Sequence, residues 1–410
     1  MNINKRYVIE LFNQMLAQST VITDMKEREP GRVFIHEGFY TTLTGHTLDI
    51  FNECVDEILK DKILVTSVSR TFVEKLIIAC AKECIEQQIT DANDIMRTHL
   101  AIFDAPPADY EFRIAIDNLT LHGLSLILGD VRISTFDTST FHHWVDKYAQ
   151  YKHFTDIASH AGQLENKPVA CVQVSAFDKD QAQNIAKQRI EDALDILRWA
   201  GRTAYSLDSR AWIGLSGRIF RQHSLPALLE SDKDGLTMPR NSEGAQLNFG
   251  IIGDIAERFH RMGVHRIGRI LVKPLKVRTD LEKRLMTALR FHGKSVQETD
   301  PIDAFLNATT VLECLLIKDN NEPIIINLAD RTAFLLGEQR EQRLQVRNDV
   351  KRLYSTRSAI THHGSVDGVI ADLSTIQDIA YYLIYRFVGL TDKFDDLESL
   401  VKWLDELKFS

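Results

Sequence analysis

The segment Leu353-Tyr354-Ser355-Thr356-Arg357-Ser358-Ala359-Ile360-Thr361-His362-His363-Gly364 closes a long, charged, helix-like stretch, and its reading decides what the C-terminal third of the chain is. An arginine is followed five residues later by a histidine, then by a second histidine and a glycine. Histidine has an unperturbed pKa of ~6.5, so it takes and returns a proton near neutrality. Arginine stays cationic and holds a phosphate through two parallel hydrogen bonds. Together the two can cut RNA without a metal. At ~100° per residue, Arg357 and His362 lie about 140° apart on an ideal helix. They share a site if the helix ends near Thr361, if Arg357 reaches round, or if two copies of the chain combine. Gly364 favours a helix end at that point.

Working outward, the pattern is helical from Arg278 to the C-terminus. Asp300-Pro301 reads as a helix start, with Asp as N-cap and Pro at the first position. Phe305, Thr309, Leu312, Leu315 and Leu316 continue it, and Asn320-Asn321-Glu322-Pro323 breaks it. A short helix is expected over Leu328 to Leu336, ended by Gly337. A long one runs from Glu338 to Thr361, with two more over 372–388 and 392–407. Short loops between helices imply antiparallel neighbours in a bundle.

The preceding region is of another kind. Glu111 to Leu119, Leu124 to Leu128 and Val169 to Val174 alternate as half-buried strands. Asp178-Lys179-Asp180 opens a helix with Ala182, Ile185, Ala186, Ile190, Ala193, Leu194 and Leu197 on one stripe. Further strands are expected over 211–219 and 265–272. Residues 1 to about 100 look mainly helical, with strands near Arg32 to Ile35 and a helix from Val65 to Gln88. Ala105-Pro106-Pro107 is a break, and Pro274 marks a boundary. The expected class is α+β: a mixed α/β portion over 1–275, with a helical subdomain over 1–105, followed by an all-α bundle over 278–410.

The chain has 410 residues, 44% of them hydrophobic, which suits a globular protein of two or three domains. Its formal net charge of -8 argues against a generally basic surface, so any nucleic-acid contact is a local patch. No apolar run is long enough to span a bilayer, and Met1 to Tyr7 lacks the core of a signal peptide. Cys80 and Cys84 stand one turn apart without a C-x-x-C pair, so buried thiols and a reducing cytoplasm are expected.

Other clusters carry less. Arg258-Phe259-His260-Arg261-Met262-Gly263-Val264-His265-Arg266-Ile267-Gly268-Arg269 alternates basic and apolar residues. It reads as a helix end leading into a strand with solvated arginines, and alternatively as a phosphate-binding face. His142-His143 has no companion at metal-ligand spacing. Glu191, Asp192 and Asp195 read as a solvated helix face. Gly214-Leu215-Ser216-Gly217 lacks the spacing of a nucleophile elbow, and no P-loop is encoded.

Arg331-Thr332-Ala333-Phe334-Leu335-Leu336-Gly337, then Arg347, Val350, Leu353, Tyr354, Arg357-Ser358 and a terminal His-Gly, resembles in order the C-terminal module of the HEPN superfamily, in its ApeA-like branch. Glu313 on the preceding helix suits the same pattern. Ser358 stands where the branch often carries Asn, Asp or His. The resemblance implies a helical bundle that dimerises and sets two Arg-His motifs at one cleft. It implies a metal-independent endoribonuclease with no cofactor, of toxin or antiviral-defence type, acting in the cytoplasm. The implied catalytic residues are Arg357, His362 or His363, and Ser358, with RNA contacts at Arg331, Arg347, Lys351 and Tyr354. The N-terminal portion would sense a protein or phage-derived trigger. The alternative is an inactive HEPN module that dimerises or binds nucleotide in the service of an N-terminal binding domain.

Overall fold

The computed structural model describes residues 3–18, 20–21, 32–36, 39–43, 45–150, 162–201, 213–216, 229–231, 235–237, 249–251, 253–318, 322–363 and 368–408. Two compact units divide the chain: Met1–Phe112 with Gln173–Lys187, and Arg113–Val172 with Gln188–Ser410. Residues on both sides of Pro274 thus belong to the second unit.

In the first unit, α1 (Lys5–Gln18), α2 (Gly45–Leu59), α3 (Leu64–Ser67), α4 (Arg70–Glu86) and α5 (Asn93–Leu100) surround a core of Val8, Phe12, Phe51, Cys54, Ile77 and Met96. Strands β1 (Thr20–Val21), β2 (Arg32–His36) and β3 (Phe39–Leu43) form an antiparallel sheet. The helix expected from Val65 to Gln88 is broken, because Val68 turns extended and Ser69 caps α4 by accepting from the Phe72 N–H. Ser69 in turn donates from its backbone and its hydroxyl to Asp178, at 2.8 and 2.9 Å. Asp178 also accepts from the Asp180 and Gln181 N–H groups at the start of α7 (Lys179–Gly201), so one carboxylate ties two helix starts together.

The second unit contains α6 (Thr138–Tyr148), a short strand β5 (Leu119–Thr120) paired in parallel with Phe249–Gly250, and most of a five-stranded sheet in the order β6-β7-β8-β4-β9, from β4 (Ala108–Asp117), β6 (Leu126–Leu128), β7 (Val131–Thr135), β8 (Pro168–Ala176) and β9 (Gly214–Leu215). Its register sets Leu126 opposite Ile133 and Ile133 opposite Ala170. The alternation seen in the sequence thus marks strands, and mixed α+β structure followed by helices is the observed arrangement. Of the stretch 211–219, only residues 213–216 lie within the described residues.

The helical part runs through α8 (Gly253–Arg261), α9 (Val264–Val272), α10 (Asp280–Gln297), α11 (Pro301–Leu316), α12 (Ile324–Leu336), α13 (Arg340–His363), α14 (Val369–Leu390) and α15 (Leu397–Lys408). The expected N-cap is present: Asp300 accepts from the Ile302 and Asp303 N–H groups at the start of α11. Packing joins α10 to α11, α11 to α14, and α12 to α13.

The structure departs from the sequence reading at three further points. The stretch from His265 to Val272 is helix, not strand: Val264, Ile267, Ile270 and Leu271 are buried at helical spacing. Asp195 does not belong to a solvated face. It is 6% exposed and receives a 2.6 Å hydrogen bond from Arg198, which also donates to Glu191 and to the Ile213 carbonyl. Gly337 ends α12 as expected, but in an extended rather than left-handed conformation. What calls for glycine there is space, since a Cβ would stand 2.7 Å from the Arg343 backbone nitrogen.

Candidate active site at the end of a long helix

Helix α13 is polar along most of its length and inserts one stripe into the bundle. Val350 and Leu353 on that stripe are 1% and 0% exposed. Val346 precedes Val350 by four residues and Arg357 follows Leu353 by four, so helical periodicity puts Arg357 on the inward stripe. There it meets Glu313 of α11. Arg357 Nε lies 3.3 Å from Glu313 Oε1, a buried oxygen with no hydrogen bond, so the contact is an ion pair without hydrogen-bond geometry. The two side chains keep 29% and 24% of their exposure.

Tyr354 completes the group. The Arg357 guanidinium lies 5.6 Å from the centre of its ring, within cation–π range. Burial, then the charge of Glu313 and a hydrogen bond to it, push the Tyr354 hydroxyl up to about 12, against the opposing pull of Arg357. Tyr354 therefore stays a neutral hydrogen-bond donor throughout the physiological range.

His362 sits differently. Helix α13 continues through Thr361 to His363, where the sequence favoured an end near Thr361. The turn between Arg357 and His362 lies within this helix, and the Thr361 hydroxyl donates 2.9 Å to the Arg357 carbonyl. His362 accordingly leaves the helix about 140° round from Arg357 and on the side opposite Leu353. It is exposed. Of the other candidates, Ser358 and Lys351 are half-buried on α13, while the side chain of His363 lies outside the described residues.

Two of the expected RNA contacts have other partners. Arg331 is buried, with its guanidinium on both oxygens of Glu322 at 2.9 and 2.7 Å and on the Leu316 carbonyl. It staples α12 to the end of α11 and offers no donor face to a phosphate. Arg347 donates to Asp330 on α12 and keeps 35% of its exposure. One helix end thus gathers Arg357, Tyr354 and Glu313, while His362 projects from another side of α13 and Arg331 is committed to the bundle.

Among the described residues, no group of three or more His, Cys, Asp or Glu side chains is placed to hold a metal ion. No described helix is long and apolar enough to cross a membrane. No protein-family model matches the chain, and neither does any curated protein or solved structure. The likeness to HEPN modules rests on the order of residues in the sequence.

Proposed function

We propose that this protein is a metal-independent endoribonuclease of the HEPN type, acting as a homodimer in a toxin or antiviral-defence role. The observation that carries this reading is the placement of Arg357. Its guanidinium is partly exposed at a helix end, aimed by Glu313 and flanked by the neutral Tyr354 hydroxyl. In the proposed reaction a histidine imidazole takes the proton of a ribose 2′-hydroxyl. The oxygen attacks the adjacent phosphorus, the bond to the 5′-oxygen breaks, and that oxygen leaves with a proton from a second imidazole. The products are a 2′,3′-cyclic phosphate and a free 5′-hydroxyl. Arg357 holds the phosphate oxygens where negative charge builds. DNA, lacking the 2′-hydroxyl, is not a substrate.

The divergence of His362 from Arg357 favours a composite site, with Arg357 from one copy and His362 from another. Incubation of purified protein with total RNA and EDTA tests the reading. Cleavage by the wild type, leaving cyclic-phosphate ends and lost in Arg357→Ala/His362→Ala, supports it. Equal cleavage by both proteins removes it.

A second reading draws on the same ion pair. If the bond between Arg357 and Glu313 serves only to fasten α13 to α11, the bundle is a dimerisation or nucleotide-binding module for the N-terminal portion. Both substitutions are then silent in every RNA assay.

A further inference from the structure

At the opposite end of α13, cations far apart in sequence converge. Helices α8 and α9 meet at Gly263, whose φ of +80° is a conformation that glycine adopts without strain. A Cβ at that position would stand 2.7 Å from Val388 Cγ1, so the glycine also lets the corner close against α14. The corner brings Arg266 beside Arg386 of α14. Two adjoining recesses share Arg266, Arg386 and Gly389. One, of about 570 Å³, is also lined by Arg343, Lys393 and Trp403. The other, of about 240 Å³, is also lined by His260, Arg261 and His265.

In a chain of net charge -8, this trough carries five arginine or lysine side chains against one lining acid, Glu338. The acids that touch the cations hold them weakly. Arg266 pairs with Asp392 at 2.9 Å and Arg386 with Glu338 at 3.7 Å, and the two acidic side chains are 53% and 82% exposed. Exposed pairs of this kind give way readily to a phosphate. Flat rings lie among the charges. The His260 and His265 rings stack 4.5 Å apart at 17°, and the Arg343 guanidinium covers Phe334 at 4.6 Å. Burial, then the neighbouring His260 and arginines, lower the proton affinity of His265, which keeps it a neutral ring near neutral pH. The floor is open at Gly389, where a Cβ would meet nothing within 4 Å.

Cations clustered beside the exposed His260 and His265 rings match the chemistry of a single strand, with phosphates on the charges and bases on the rings. We propose that this trough anchors single-stranded RNA. The choice of RNA rests on the ribonuclease reading, but the site is separate from Arg357. Arg343 and Arg357 are both on α13, and fourteen residues at 1.5 Å per residue put them about 21 Å apart. A strand lying in the trough would hold the substrate several nucleotides from the bond that is cut.

The test uses the 410-residue Arg357→Ala protein, so that RNA stays intact, and a fluorescent oligouridylate of about 12 nucleotides. Binding is followed by anisotropy between about 50 and 200 mM salt. Adding Gly389→Glu, which puts an anion on the open floor, is expected to weaken binding at least about tenfold. Adding Arg386→Gln/Lys393→Gln is expected to lower the salt slope by about 1.4, at about 0.7 per phosphate contact on a single strand. Circular dichroism and thermal unfolding that match the parent serve as the fold control for each charge variant. Affinity and slope that stay at parental values in both charge variants overturn the proposal, as does a parent that binds no RNA below about 100 µM. Trough-dependent binding without cleavage by the wild type would sink the ribonuclease reading alone. Cleavage with trough-independent binding would sink the trough alone.

Discussion

Arg357 Nε and Glu313 Oε1 lie 3.3 Å apart across the packed faces of α13 and α11, and this pair sets which way the candidate catalytic arginine points. Without Glu313, a long cationic side chain on the inward stripe would be desolvated without compensation. With it, the guanidinium has a counter-charge beside it while the side chain keeps 29% of its exposure.

Since His362 leaves α13 about 140° from Arg357, a site built within one copy and a site built across two make different predictions. Arg357→Ala and His362→Ala proteins, each inactive alone, are expected to regain up to about half of one dimer's two sites when refolded together, because one composite site then has both groups. No recovery in a mixture that demonstrably exchanges subunits would place both groups in one copy.

Arg331 and Glu322 keep 6% and 14% side-chain exposure, so breaking the pair leaves a buried charge. Arg331→Ala is expected to cost about 3–5 kcal/mol in urea unfolding. Arg331→Met/Glu322→Leu should recover much of that loss. Neither change should alter the salt dependence of RNA binding, because Arg331 offers nothing to a phosphate.

Two helix glycines should respond to alanine with opposite sign. Gly293 in α10 is packed against the Asp195 carboxylate, and a Cβ would run into it. Gly293→Ala is expected to destabilise by about 1–3 kcal/mol despite the better helix propensity. Gly389→Ala meets open space and should stabilise by about 0.5 kcal/mol. Thermal unfolding of the two variants beside the wild type measures both.

Burial pushes the Asp195 carboxyl up to about 7, against the pull of Arg198 and with the help of Glu191 and Asp192. Between about pH 4 and 7 the folded state therefore keeps a proton that the unfolded chain releases. The resulting stability is complete below the unfolded pKa and is lost as pH rises through about 7. Asp195→Asn should flatten that fall in a series of unfolding curves. Glu322 acts in the other direction and at lower pH. Burial raises its carboxyl, but hydrogen bonds from Arg331 and the Lys318 backbone, with the Arg331 charge, outweigh burial and hold it below the usual range. Its contribution is present above the unfolded pKa and is lost as pH falls through the depressed one.

The amino-acid sequence by itself determined the local elements whose signals are local. Asp300-Pro301 starts a helix because a capping carboxylate and a fixed φ act within one turn. The alternation that begins at Glu111 marks a strand, which ends at Asp117, because side chains in a strand point alternately to its two faces. The inward position of Arg357 was also readable, four residues beyond Leu353 on the same stripe. Tertiary structure alone decided the rest. Asp195 and Arg331 look like surface charges until packing from distant segments removes their water and supplies their partners. Residues 265–272 could be read as a strand because a short apolar run fits both periods, until Gly263 closes the corner onto Val388. Nor does any local signal join Arg266 to Arg343, Arg386 and Lys393. Their convergence follows from how α9, α13 and α14 pack, and Coulomb attraction for a phosphate depends on distance in space rather than along the chain.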